Sequence, residues 1–155
     1  MEQRQADQNR TLEAMRQLEA ALGTAAPRRE EAWREDVRSA LGVLGQATAN
    51  EADNAALADS LLSDIARTQP WLRNRVRGLR ISYRQLQEGI ASLQSELEEP
   101  TEPVVDFADI RQRLAWILTG LRHQRARESD LIYEAYYDAF RSDLTLDSSN
   151  AADGP

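Results

Sequence analysis

Residues 72–97, LRNRVRGLRISYRQLQEGIASLQSEL, decide the fold. Leu72, Val76, Leu79, Tyr83, Leu86, Ile90, Leu93 and Leu97 follow one another at alternating spacings of four and three. That alternation is the apolar seam of a long helix packed nearly parallel to its neighbours. Pro70 suits the first helical position, and the periodicity runs out near Glu99. At about 1.5 Å per residue the helix is on the order of 40 Å long. Tyr83 is the one polar-tipped member of the seam. It stands at mid-helix, where a four-helix bundle keeps its ligand site if it has one.

Outward from this helix, prolines punctuate the chain. Pro27, Pro70, Pro100 and Pro103 all fall between periodic segments. A first helix spans about Arg4 to Leu22, with Leu12, Met15, Leu18 and Leu22 on one side and Gly23 as its stop. A second spans about Arg29 to Ala49, with Trp33, Val37, Ala40, Leu41, Leu44 and Ala47 inward. Gly42 and Gly45 weaken it by about 1 kcal/mol each, and close helix approach is the usual compensation. Asn50 to Asn54 reads as a break, followed by a short helix over 55–66. The last helix starts near Pro103 and reaches about Ser142; Phe107, Ile110, Leu114, Ile117 and Leu121 carry its seam, which then predicts Gln124, Glu128, Leu131 and Ala135 inward. The expected fold is all-α: an up-down-up-down antiparallel four-helix bundle with a short extra helix between helices two and three. Residues 1–142 form its single domain, and 143–155 form a small, polar tail that reads as disordered.

The bulk properties narrow the function. The chain has 155 residues, enough for one domain with a real core. There is no cysteine, which removes disulfides, thiolate metal sites and cysteine nucleophiles. All 19 basic residues are arginine, so Schiff-base chemistry and a P-loop lysine are absent. The formal net charge of −7 argues against nucleic acid as a partner. No apolar run approaches the roughly 20 residues of a membrane span, and Met1 to Arg10 lacks the apolar core of a signal peptide. The default reading is a cytoplasmic, bacterial-type protein.

Counting residues from the turns puts several polar groups at the depth of Tyr83. Gln124 and Glu128 on the last helix, Glu51 just past the second helix's last apolar turn, and Gln8 and Asn9 on the first fall within a slab of roughly 10 to 15 Å. The apolar seams fail together at one level. Two readings stay open there. The helices fray toward water with Glu51 and Glu128 solvated, or Tyr83, Gln124 and the carboxylates form a buried network whose members need partners. His123, the single histidine, lies about 100° off the inward line. It reads as a boundary residue near Arg122 and Glu128, though a lone histidine with two carboxylates could hold one metal weakly.

The segment Gln124-Arg-Ala-Arg-Glu128-Ser-Asp-Leu-Ile-Tyr133-Glu-Ala-Tyr136 resembles the last helix of hemerythrin-like proteins, with its His-x-x-x-Glu followed by an apolar-aromatic cluster. Ala47-x-x-x-Glu51 with Leu61-Leu62 beyond it is similar to that family's second helix, and Pro70 to Leu86 to its third. The resemblance implies a four-helix bundle. In the family it also implies a di-iron centre held by histidines and bridging carboxylates, handling oxygen or related small molecules. Glu51 and Glu128 match the carboxylates. Ala47, Tyr83 and Gln124 stand where histidines would supply the neutral nitrogen donors that hold iron.

Other features bear on partners. Arg73, Arg77, Arg80 and Arg84 form a second stripe on the third long helix, with no acidic residue from Ile65 to Gln87. It suits a phosphate or an acidic segment, or simply a solvated face. Tyr133, Tyr136, Tyr137 and Phe140, with Trp116 further up, read as core and bundle-end packing, and also suit a dimer contact. No glycine-rich phosphate loop, nucleophile elbow or paired catalytic constellation is present. The expected function is therefore a non-catalytic, hemerythrin-like bundle without cofactor, serving as a protein-interaction or scaffold module. The alternative is weak iron binding by Glu51, His123 and Glu128. A further alternative is anion or acidic-partner binding by the arginine stripe.

Overall fold

The structure, a computed structural model, describes residues 2–24, 28–98 and 106–150. It is all-α. Its helices are α1 (Glu2–Gly23), α2 (Glu30–Ala56), α3 (Leu61–Thr68), a 3-10 turn over Pro70–Leu72, α4 (Arg73–Glu98) and α5 (Phe107–Asn150). Among the described residues there is no strand, and no helix is long and apolar enough to cross a membrane.

All four long helices contribute to the larger apolar core, with α1 and α4 each lying against both α2 and α5. Arg34 on α2 donates to the Leu97 carbonyl of α4 at 2.7 Å, and Tyr83 meets Glu51 further along. Arg111 on α5 reaches the Thr24 carbonyl, while Arg4 meets Glu128. Arg113 pairs with Glu96 at 2.6 Å, and Gln124 bonds the Leu79 carbonyl. The seam predicted for α4 is the seam observed: Leu72, Val76, Leu79, Leu86, Ile90, Leu93 and Leu97 are buried, and Tyr83 is half-buried among them. At one end Trp33 packs edge-on against Phe107, ring centroids 5.1 Å apart, with the Arg111 guanidinium over its face.

The buried apolar side chains form two clusters. The larger runs from Trp33 and Leu97 to Ala14, Ala47, Leu86 and Leu121. The smaller joins Leu62 and Ile65 of α3 to Leu72, Val76 and Leu79, and to Leu131 and Ala135 of α5. The level of Tyr83 lies between them.

Several sequence expectations are corrected. Asn50 to Asn54 is helix, because both asparagines find side-chain partners and do not compete for the backbone: Gln46 donates to Asn50 and Asn54 donates to Asp7. The break falls at 57–60. Ser60 caps both sides of it, donating to the Ala55 carbonyl at the end of α2 and accepting from the Ser63 N–H at the start of α3. On α1 the inward face is Asp7, Thr11, Ala14, Met15 and Leu18, one residue out of phase with a stripe extended back to Gln8. Asp106, whose carboxylate accepts from the N–H groups of Ala108 and Asp109, caps α5. Pro27, Pro100 and Pro103 lie outside the described residues, as do 151–155 of the expected tail. Its first part, 143–150, belongs to α5, which meets no glycine or proline between Gly120 and Gly154. Finally, the aromatic residues expected in core and bundle-end packing are exposed. Tyr133, Tyr136, Tyr137, Phe140 and Trp116 face away from the positions that α5 buries at Leu114, Ile117, Leu131 and Ala135.

Candidate functional site

The polar level between the two apolar clusters is built by side chains from all four long helices. Glu51, on the last turns of α2, is the centre. One of its oxygens accepts from the Thr11 hydroxyl of α1 at 2.6 Å and from the Tyr83 hydroxyl of α4 at 3.0 Å. Burial raises the Glu51 carboxyl above its ordinary range, the two hydroxyl donors oppose this, and the nearby charge of Glu128 adds to it. Burial, then the charge of Glu51, push the Tyr83 phenol up, so Tyr83 stays a neutral donor.

The other predicted members sit at the same level but bond elsewhere. Glu128 accepts from Arg4 of α1, with nitrogens at 2.8 and 3.1 Å, and from Gln8 at 3.5 Å. Gln124 is buried and donates its amide to the Leu79 carbonyl of α4 at 2.6 Å. Three further bonds complete the level. Arg125 donates to the Gln8 carbonyl at 2.6 Å. Asp7, only 2 % exposed, accepts from Gln3 at 2.9 Å and from Asn54 at 2.8 Å. Asp7 and Asn54 were invisible as site residues in the sequence, since a polar residue on an end turn reads as solvated. Thr11 could have been found from the phase of Ala14 and Leu18.

Beside this network a cavity of about 530 Å³ opens between α1, the end of α2, α3, α4 and α5. Glu51, Tyr83, Gln124 and Glu128 all line it, together with Arg4, Asp7, Arg80 and Arg84. The arginine stripe is thus divided. Arg80 and Arg84 face the cavity. Arg73 reaches the Ala66 carbonyl at the end of α3, and Arg77 is exposed.

The donor set does not fit the di-iron centre that the hemerythrin resemblance implies. The Gln124 amide nitrogen is spent on a backbone carbonyl, Tyr83 donates to one carboxylate, and Arg4 neutralises the other. His123 is exposed and is not brought together with Glu51 and Glu128. Among the described residues no three His, Asp or Glu side chains gather as a metal-holding group. Comparison with protein-family models, with curated proteins and with solved structures finds no match.

Proposed function

We propose that the chain is a cytoplasmic, non-catalytic bundle module that works by binding another protein, its metal site degenerate and its four long helices in up-down-up-down order. The descending pairings of Arg34 with Leu97 and Tyr83 with Glu51, and of Thr24 with Arg111 and Arg4 with Glu128, support that order. The network around Glu51 supports a structural role for the polar level, because its acids and donors are committed to each other.

One observation carries the interaction reading. Tyr133, Tyr137, Phe140 and Leu144 recur at spacings of four and three on the outer side of α5, opposite Leu131 and Ala135, and all are exposed; Tyr133 is 71 % and Phe140 63 % exposed. Tyr133 and Tyr137 stack with centroids 5.9 Å apart, and Arg141 lies over Tyr137. A helix with an apolar seam on both sides has one seam left for a partner. Aromatic side chains and arginine are the types enriched in such contacts.

The test places a photo-crosslinking amino acid at Phe140 in the full chain in its native cells, with Asp36 on exposed α2 surface as control. A discrete adduct from Phe140, whether with a second copy or with another protein, and none from Asp36 is expected. Equal or absent crosslinking at both positions overturns the reading. Protein grown with added iron should carry well under one metal per chain, and a stoichiometric content would restore the iron-binding alternative.

A further inference from the structure

The cavity beside Glu51 has a charge pattern that the polar network does not use. Arg80 and Arg84 stand one turn apart on α4 in its wall. Arg80 commits one terminal nitrogen to neutral acceptors, the Ala55 carbonyl and the Ser63 hydroxyl, each at 2.9 Å. Arg84 makes no hydrogen bond or ion pair among the described residues. Among the described residues neither guanidinium has a carboxylate partner, although five acidic residues line the same cavity. Four of those are already engaged: Asp7 by Gln3 and Asn54, Glu51 by Thr11 and Tyr83, Glu128 by Arg4, and Asp64 by Arg67. The fifth, Asp59, is exposed at the rim. Much of the remaining wall is apolar, from Leu57, Leu61, Leu62 and Leu79.

We propose that this cavity binds a small amphipathic monocarboxylate, with its carboxylate at Arg80 and Arg84 and its apolar body against Leu57, Leu61 and Leu62. A planar guanidinium matches a carboxylate, and two of them one turn apart offer more donors than one carboxylate needs. The apolar wall rewards burial of a hydrocarbon body. The volume lies within the range of sites for small organic ligands. The surrounding carboxylates repel a dianion such as a phosphate monoester more than a single charge. This inference is independent of the outer face of α5.

The test is a titration of the isotope-labelled full chain, followed by amide resonances, with octanoate, 4-phenylbutyrate, octanamide and octylamine. The two acids are expected to shift the amides of Leu57, Leu62 and Arg84. Octanamide and octylamine should bind at least about tenfold more weakly than octanoate. Arg84→Gln, an exposed change, should weaken octanoate by about tenfold, while Arg77→Gln, away from the cavity, leaves it unchanged. Octylamine binding as well as octanoate, shifts confined to Tyr133–Phe140, an Arg84→Gln variant that binds like the parent, or no response to either acid at millimolar concentration would overturn the proposal.

Discussion

Burial disfavours the charged form of Glu51, and that has a sign that can be measured. Its carboxyl is raised in the folded chain, first by burial, so the fold binds the proton more tightly than the unfolded chain does. Protonation of Glu51 therefore contributes stability that is fully present below the ordinary carboxylate range and is lost as pH rises through the raised value. Glu51→Gln keeps an oxygen for Thr11 and Tyr83 and removes the charge. It should stabilise the protein at neutral pH, with the gain shrinking to nothing as pH falls below the carboxylate range. Denaturant titrations of both chains across that window decide it, and a loss of stability at pH 7 would mean that the hydroxyl donors outweigh the burial. Tyr83→Phe removes one of those donors and should cost about 1 kcal/mol. Much of this site was legible. The failure of two apolar seams at Tyr83, Gln124 and Glu128 marked its depth, and Glu51 fell at the same level by counting turns. The inward phase of α1 was missed because Ala14 and Met15 are both apolar, so its stripe can be drawn in two phases.

At the scale of elements, α4 was read almost to its ends because its seam is unbroken and Tyr83 is its only ambiguous member. The second helix was cut short at Asn50 because asparagine disfavours helix interiors only when its side chain must bond nearby backbone. The partner that removes this conflict at Asn54, Asp7, lies on another helix. Glycines show the same dependence on neighbours. A side chain added at Gly78 of α4 meets nothing within 4 Å, whereas at Gly120 of α5 it would come within 2.6 Å of a Leu86 methyl. Both are interior helix positions, where alanine is favoured over glycine by about 1 kcal/mol. Gly78→Ala should raise stability by about that amount. Gly120→Ala must displace Leu86 from a packed core, at a cost of about 1–3 kcal/mol, and should be neutral or destabilising. Thermal melts of the two variants are expected to move apart, and equal gains would mean that Leu86 has free room.

For the whole molecule, the length of α5 is the feature the sequence understated. Its 44 residues reach on the order of 66 Å, against about 39 Å for the 26 of α4. Its aromatic residues were assigned to packing because their spacing is that of a seam, and spacing alone does not say on which side of a helix a neighbour lies. The two apolar clusters carry a different consequence. They meet only across a layer of hydrogen bonds, where hydrophobic continuity is interrupted and water has a cavity to enter. Cooperativity should therefore be weakest at that layer. The short α3 helix with the first turns of α4 can come away as a unit while the larger cluster stays closed. Native-state hydrogen exchange should show amides around Ile65 and Val76 exchanging through a partial opening, with those around Leu41, Leu44 and Ile90 waiting for global unfolding. Uniform protection in both clusters would make the chain one cooperative unit. The predicted outcome makes it a hinged pair, whose smaller member controls access to the cavity by breathing.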